Sequence, residues 1–165
     1  MSVKEHRKEA PKSVRCFVLT ISDTRSLEND PSGDAIADAL TGAGHQITGR
    51  DLVRDEPESV QQTIRTHCAQ VDAIVMTGGT GITARDSTYE AVVTLLDKRL
   101  DGFGELFRML SYGEIGSAAM LSRACAGTIG RTVVFSVPGS RNAVTLAMER
   151  LIVPELPHIV RELNR

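Results

Sequence analysis

The residues whose types and spacing most suggest chemistry form a short glycine-rich segment after an apolar run. Residues 71–76 are apolar at five of six positions, which predicts a strand buried on both faces of a parallel sheet and ending at Thr77. Four small residues follow: Gly78, Gly79, Thr80 and Gly81. Such residues let the backbone adopt positive φ and let a ligand approach main-chain N–H groups closely. The segment therefore predicts a phosphate-binding loop.

A charged pair and a helix start follow this loop. Arg85 and Asp86 place a cation beside a carboxylate, and Ser87 to Glu90 has the Ser-x-x-Glu pattern of a capping box. Taken singly, each feature has an ordinary structural explanation. At the carboxyl end of one strand, where open α/β sheets bind ligands, the features together favour a binding site.

Other candidate residues follow the remaining predicted strands. Ser22 and Asp23 come after the first strand, Asp55 after the second, and Gly139 with Ser140 after the last. A helix cap is the simpler explanation of Asp55. In a doubly wound sheet, however, the second strand can end beside the glycine-rich loop. Asp55 would then face Asp86 across a cleft, and the two carboxylates could hold Mg²⁺.

A dinucleotide fingerprint is a weaker interpretation of the same loop. Gly79 to Ala84 fits G-x-G-x-x-A, but that pattern should open a helix directly in the first strand–helix unit. Here it lies in the third unit, with Arg-Asp-Ser between it and the helix. No Gly-Lys-Ser/Thr follows, so the loop is not a Walker P-loop. A nicotinamide oxidoreductase is therefore kept only as an unlikely alternative.

Five ordered blocks of sequence resemble the MoaB/MogA family of molybdenum cofactor biosynthesis proteins, and its MoaB branch most. The first is TGGTG at residues 77–81 with ARDSTYEA at 84–91. The others are FGELFRMLS at 103–111, EIG at 114–116, LSRA at 121–124 and VPGS at 137–140. They follow one another in the family's order through most of the chain.

The resemblance implies that the protein binds molybdopterin and, with Mg²⁺ and ATP, adenylylates it and releases pyrophosphate. Asp55 and Asp86 are the implied catalytic and Mg²⁺-binding residues. The candidate substrate- and phosphate-binding residues are Thr77, Gly78, Gly79, Thr80, Gly81, Arg85, Gly139, Ser140, Ser22 and Asp23. The family is oligomeric, so a homo-oligomer, either a trimer or a pair of trimers, is expected. Other proteins of the pathway are candidate partners.

The same resemblance leaves a non-catalytic molybdopterin-binding protein as the main alternative. Some MoaB-branch members lack the Arg-Asp pair and are thought to hold molybdopterin without turning it over. The presence of Arg85 and Asp86 favours turnover here. Arg141 and Asn142, in contrast, stand where active relatives commonly have a proline, which weakens the inference about the anion site at Ser140.

Composition and charge exclude several other classes. The chain has 165 residues, a net charge of −2 and a pI near 6.1, so no electrostatic footprint for nucleic acid is expected. No apolar run reaches the ~18 residues of a membrane span, and the polar start does not suggest a signal peptide. Three widely spaced cysteines predict reduced thiols in a cytoplasmic protein. The four histidines have no metal-ligand spacing along the chain, so structural zinc is not expected.

Alternating strand and helix patterns predict a three-layer α/β/α domain with a mostly parallel central sheet. Residues 1–12 are expected to be a flexible N-terminal tail, and residues 13–165 a single molybdopterin-binding domain. Residues 100–127 predict two short helices with more apolar surface than a connection needs, either core or a subunit interface. Pro154 and Pro157 are expected to interrupt the C-terminal helix.

Overall fold

The computed structural model describes residues 2–165 and contains a six-stranded sheet in the order β2-β1-β3-β6-β5-β4. The strands are β1 (Arg15–Ile21), β2 (Gln46–Val53), β3 (Ala73–Thr77), β4 (Lys98–Arg99), β5 (Cys125–Ile129) and β6 (Thr132–Val137). Strands β2, β1, β3 and β6 pair in parallel, whereas β5 and β4 are antiparallel. Strands β3 and β6 are buried along their whole length, as expected for strands covered on both faces. The mostly parallel sheet is confirmed.

Helices cover both faces of the sheet and complete the predicted three layers. They are α1 (Val3–Lys8), α2 (Pro31–Gly42), α3 (Pro57–Cys68), α4 (Thr88–Val93), α5 (Asp101–Ile115), α6 (Arg141–Ala147) and α7 (Val153–Leu163), with a 3-10 helix at Gly116–Leu121 and a π turn at Met148–Ile152. On one face α2, α5, α6 and α7 bury residues such as Ile36, Phe107 and Leu156. On the other face α3 and α4 bury Ile64 and Val92. Each such side chain stabilises the fold by roughly 1.5–3 kcal/mol.

Residues 100–127 contain two helical segments, as the sequence predicts, but the first is long and a strand follows the second. They form the long helix α5, the 3-10 helix and most of β5, which turns at Gly130 to pair with β6. Gly130 has a φ of +56°, and a Cβ on Gly127 would collide with the Lys98 carbonyl oxygen of β4. Small residues thus permit the antiparallel pairing. Gly130-Arg131 between two short strand-forming runs was the hairpin signal in the sequence.

The two C-terminal prolines do not interrupt the helical segment, contrary to the sequence prediction. α6, the π turn and α7 follow one another without a loop. Pro154 lies in the first turn of α7, where a missing N–H costs little, while Pro157 lies inside the helix. Burial of Leu156 and Val160 against the sheet offsets the ~3 kcal/mol that an interior proline costs.

The N-terminal segment carries a short helix where the sequence suggests a flexible tail over residues 1–12. Met1 lies outside the described residues. Arg7 pairs with Glu155 of α7, and Glu9 pairs with Arg161 of the same helix. The segment therefore lies against the last helix of the domain.

The structure also bears on the cysteines and on possible membrane-spanning helices. Within residues 2–165 no helix has the length and apolar character needed to cross a membrane. Cys16, Cys68 and Cys125 are free, as their odd number and wide spacing together predict. Burial raises the pKa of Cys16 to about 12 and that of Cys125 to about 11. Both thiols therefore stay protonated at neutral pH.

Candidate functional site

An open cleft lies where the carboxyl ends of β1, β3 and β6 meet. Its volume is about 640 Å³, a size typical of small-molecule sites. The lining includes residues 78–81, Ser22, Asp86, Gly139 and Ser140, all of them candidates from the sequence. The fold thus brings candidate residues from three separate parts of the sequence together at this cleft.

The glycine segment, residues 78–81, is held by its carbonyl groups. Gly79 O accepts from the Thr88 N–H (3.2 Å), and Thr80 O accepts from the Arg123 N–H (3.1 Å). In contrast, the N–H groups of Gly79 and Thr80 donate to no acceptor within residues 2–165, although both residues line the cleft. Gly78 and Gly79 have φ values of +105° and +69°, which favour glycine. Unpaired N–H groups of this kind suit an anion.

The loop after β6 forms the neighbouring wall. A Cβ on Gly139 would lie 3.4 Å from Gly78 Cα, so the two loops are in van der Waals contact. Ser140 begins α6, and its hydroxyl accepts from the Ala143 N–H (3.2 Å). Thr77 is fully buried and donates to Pro138 O (2.9 Å). Thr77 therefore joins the two loops and does not line the cleft, whereas Ser140 does.

Arg25 is the only basic side chain among the described residues that line the cleft, and the sequence analysis does not select it. Its guanidinium donates to Ser32 Oγ (3.0 Å) and Gly139 O (3.3 Å). Ser22 Oγ accepts from the Arg25 N–H (3.0 Å) and so shapes this turn. The signal that could have found Arg25 is its position just after a strand end, the same signal that selects Ser22 and Asp23.

Asp86 lies on the cleft side of the glycine segment. Its Oδ2 accepts from the Thr83 hydroxyl (2.6 Å) and the Thr83 N–H (2.8 Å). The hydroxyl bond, more than any other interaction, holds the pKa of Asp86 below its usual range. A Cβ on Gly81 would lie 2.7 Å from the same oxygen. Asp86 is thus an ionised carboxylate packed against the loop at the edge of the cleft.

Asp55 lies behind the glycine segment and not on the opposite wall of the cleft. Its Oδ1 accepts from the Ser87 hydroxyl (2.8 Å), the Ser87 N–H (3.3 Å) and the Thr88 hydroxyl (3.4 Å). A Cβ on Gly79 would come 2.9 Å from Asp55 Oδ2. The expected geometry fails because β1 lies between β2 and β3 in the sheet. Asp55 reaches the start of α4 from the edge strand.

Both predicted helix caps near this site are wrong for the same reason. Glu56, not Asp55, is the residue before α3, and it makes no side-chain cap bond. Ser87 precedes α4 but also makes no cap bond, because its hydroxyl donates to Asp55. Glu90, the expected partner of Ser87, pairs with Arg123 instead. The Ser87 hydroxyl therefore bonds to the buried Asp55 carboxylate, which follows β2, and not to a backbone N–H of its own helix.

Arg85 and Asp23 form an ion pair outside the cleft lining. Arg85 donates to Asp23 Oδ2 from Nη2 (2.8 Å) and Nε (3.1 Å), and Asp23 Oδ1 accepts from the Asp55 N–H (3.1 Å). The Arg85 guanidinium lowers the pKa of Asp23. The pair ties the loop after β1 to the loop after β3. These two candidates are therefore placed to support the loops.

Arg123 fixes the glycine segment from behind, and the sequence analysis does not select it as a site residue. Its Nε donates to Gly81 O (2.9 Å) and its Nη2 to Asp86 O (3.1 Å). Arg123 lies in the LSRA block, but 42 positions separate it from Gly81. No local pattern links residues so far apart, so only the fold reveals this clamp.

The residues at the cleft fit a Mg²⁺ ion bound together with a phosphate substrate. Mg²⁺ in nucleotide sites commonly takes one or two carboxylates and completes its shell with phosphate oxygens and water. Asp86 lines the cleft and offers one carboxylate. Asp55 already accepts three hydrogen bonds and does not line the cleft, so Asp86 fits the ion better.

The fold and the cleft together define an α/β protein with a candidate binding cleft at the carboxyl ends of its central strands. Residues 17–158 match the MoCF_biosynth family, described as a probable molybdopterin binding domain. The chain belongs to this molybdenum cofactor biosynthesis family, and the MoaB/MogA resemblance is confirmed.

Curated and solved relatives agree with this assignment. The chain is 59% identical over 168 residues to molybdenum cofactor biosynthesis protein B of Bacillus cereus, with 100% of this chain and 99% of the relative covered. A crystal structure of a molybdenum cofactor biosynthesis protein B has 58% identity and a TM-score of 0.91, covering 95% of this chain and 99% of its own. The tungsten cofactor synthesizing protein MoaB of Pyrococcus furiosus has 39% identity and a TM-score of 0.86, covering 94% and 100%.

Proposed function

We propose that the cleft binds molybdopterin and that the protein adenylylates it with Mg²⁺ and ATP, releasing pyrophosphate. The observation that carries the proposal is the pair of unpaired N–H groups at Gly79 and Thr80 in the cleft. Gly79 and Thr80 line the cleft together with one cation, Arg25, and one ionised carboxylate, Asp86. The relatives' names, which refer to molybdenum and tungsten cofactor synthesis, support the pterin as the substrate.

Adenylyl transfer suits a site with no protein nucleophile. The molybdopterin phosphate attacks the α-phosphorus of ATP, a new P–O bond forms, and the bond to pyrophosphate breaks. The protein then needs to position the two anions and stabilise the charge that develops. The N–H groups of Gly79 and Thr80 bind phosphate oxygens, and Arg25 provides the positive charge. Asp86 would hold Mg²⁺, which would neutralise charge on the phosphates when bound.

The rival functions use fewer of these features. A protein that only binds molybdopterin needs the N–H groups but not an ionised Asp86 on the cleft side. The nicotinamide alternative is disfavoured by the path of the chain after the fingerprint. Ala84 does not open a helix, since α4 begins only at Thr88.

The direct test supplies the purified protein with molybdopterin, Mg²⁺ and ATP labelled at the α-phosphate. We expect labelled, adenylylated molybdopterin and one pyrophosphate for each product formed. Molybdopterin binding without any product, at all Mg²⁺ and ATP concentrations, would leave the binding-protein function. Failure to bind molybdopterin would contradict both.

A homo-oligomer, either a trimer or a pair of trimers, is proposed for the same protein. In the apolar segment that follows β4, Phe103 and Phe107 belong to the core, but other large apolar side chains remain exposed. The exposed ones are Leu106, Met109, Tyr112, Ile115, Met120 and Leu121. Met120 is 74% exposed. Leu106, Met109 and Tyr112 are spaced three residues apart and so lie on one side of α5. Exposed apolar side chains grouped in this way favour an interface, and closed assemblies are the usual result.

Light scattering tests the assembly directly. We expect a trimer or hexamer at micromolar concentration, and Met109→Glu should dissociate it because a charge would be buried at the interface. Glu114→Gln, on the same helix, is the control and should leave the mass unchanged. A monomeric wild-type protein would contradict the proposal.

A further inference from the structure

A second cluster of potential ligands lies far from the cleft, between the first and last helices. His6 of α1 meets His158 and Glu162 of α7, with one ligand atom from each residue within 4.8 Å of the others. The two imidazole rings lie 5.7 Å apart at an interplanar angle of 61°. His158 and Glu162 are spaced i, i+4, so both project from one face of α7. Neither histidine has metal-ligand spacing in the sequence, and the fold alone brings them together.

The surroundings of the cluster resemble the outer shell of a metal site. Glu155 Oε2 lies 3.0 Å from His158 Nδ1, which places a carboxylate on one ring nitrogen and leaves Nε2 for a ligand role. Arg165 donates to Glu162 Oε2 (3.1 Å), so Oε1 faces His6. Metal-bound histidines and carboxylates are commonly held in this way by second hydrogen-bond partners.

We propose that His6, His158 and Glu162 form a binding site for a divalent transition metal of the Zn²⁺ type. Two imidazoles and one carboxylate, with a fourth position left for water, are a known ligand set for this ion. His6 Nδ1 and Glu162 Oε1 lie 3.2 Å apart. Two ligands about 2.0–2.1 Å from one tetrahedral ion have about this separation.

The remaining adjustment is small. Ligand atoms around a tetrahedral ion are about 3.3 Å apart, so atoms that now lie within 4.8 Å of one another must approach by at most about 1.5 Å. Arg161 also donates to Glu162 Oε1 (2.7 Å), and metal binding must lengthen this bond. Both histidine side chains are less than one-fifth exposed, which limits their motion before binding. The bound ion would fasten α1 to α7.

The site is tested with the full-length protein, freed of metal and titrated with Zn²⁺ by calorimetry and with Co²⁺ by absorption. We expect one ion per chain and the visible d–d bands of four-coordinate Co²⁺ without thiolate charge-transfer bands. His6→Ala and His158→Ala should each weaken Zn²⁺ binding at least 100-fold. Glu155→Gln removes the outer carboxylate beside His158, together with its ion pair to Arg7, and should weaken Zn²⁺ binding roughly 10- to 100-fold. His67→Gln removes a distant histidine and should have no effect.

Hydrogen exchange provides a readout that is independent of affinity. Saturating Zn²⁺ should slow exchange of the α1 amides in the wild-type protein and in His67→Gln, but not in His6→Ala. Thiolate bands from Co²⁺, or equal Zn²⁺ affinity in His6→Ala and the wild type, would overturn the proposal. So would binding that leaves α1 exchange unchanged.

Discussion

The two sides of the glycine segment differ in how their polar groups are used. Behind the segment, Thr88 donates its hydroxyl to Asp55 and its N–H to the Gly79 carbonyl oxygen. Arg123 donates to the carbonyl oxygens of Thr80 and Gly81. On the cleft side, the N–H groups of Gly79 and Thr80 have no partner within residues 2–165. The polar groups behind the loop are therefore hydrogen-bonded within the protein, whereas the two N–H groups at the cleft remain available for the proposed ligand. Asp55 and Asp86, which the sequence analysis gives the same role, lie on different sides of the segment: Asp55 behind it and Asp86 at the cleft.

The largest expected effect comes from adding a side chain at Gly79. Its φ is +69°, and a Cβ would collide with the Thr88 hydroxyl behind the loop rather than with a phosphate in front. Positive φ costs roughly 1–2 kcal/mol and overpacking a further 1–3 kcal/mol, so Gly79→Ala should lower the free energy of unfolding by about 3 kcal/mol. Chemical denaturation measures this.

Gly42→Ala is the matched control for that variant. Gly42 has no positive φ, and nothing lies within 4 Å of its added Cβ. The substitution should therefore be neutral or stabilise by up to about 1 kcal/mol. If Gly79→Ala were as stable as Gly42→Ala, the contact between the loop and Thr88 would not exist as described.

Asp86→Asn should reduce turnover far more than it reduces the stability of the fold. Asparagine keeps the shape of the side chain at the cleft edge but loses the charge proposed to hold Mg²⁺. Loss of that interaction should lower turnover by about 100-fold or more, equivalent to about 2.7 kcal/mol of barrier, with molybdopterin binding retained. Steady-state kinetics and calorimetry measure the two quantities.

Asp38→Asn provides the control, since it removes the same charge from the exposed surface of α2. It should change neither turnover nor binding. Normal turnover in Asp86→Asn would show that the front carboxylate has no catalytic role.

Asp55 should give the opposite pattern, although the sequence predicts that the two aspartates behave alike. Asp55→Ala leaves the Ser87 N–H and two hydroxyls without their acceptor, which should cost about 2 kcal/mol of folding free energy. Asp55→Asn keeps one oxygen facing these donors and should restore most of the stability. If thermal unfolding is unchanged in Asp55→Ala while turnover is lost, Asp55 belongs to the catalytic side.

The features of the glycine segment that depend on local sequence pattern can be predicted from the sequence. The apolar run before Thr77 and the small residues after it are enough to predict the parallel strand and its loop. The resemblance adds the family. Neither predicts which side Asp55 occupies, because that depends on β1 lying between β2 and β3. The contact of Arg123 with Gly81 is likewise a result of packing between distant segments.

The antiparallel edge and the His6–His158 contact were missed for related reasons. Residues 125–129 are a short run with small side chains, and their strand conformation depends on pairing with β6. His6 lies in a polar segment whose position against α7 is set by ion pairs with that helix. Interactions between residues far apart in sequence leave little trace in a single sequence.

The smallest expected effect concerns the charge state of Asp86 on the front side. The hydroxyl of Thr83 is the main cause that lowers the pKa of Asp86 below its ordinary 3.8. Because the native pKa is lowered, the ionised group stabilises the fold fully above pH 3.8, and this contribution is lost as pH falls through the native value.

Thr83→Val removes the hydroxyl donor while keeping the side chain's shape, so the pKa of Asp86 should rise toward its ordinary value. Carbon-detected NMR of the carboxylates measures the shift, with Asp72 at the opposite end of β3 as the internal control that should not move. An unchanged titration of Asp86 in Thr83→Val would mean that its ionisation at the cleft is set by other groups, the backbone N–H groups of Thr83 and Gly81 first among them.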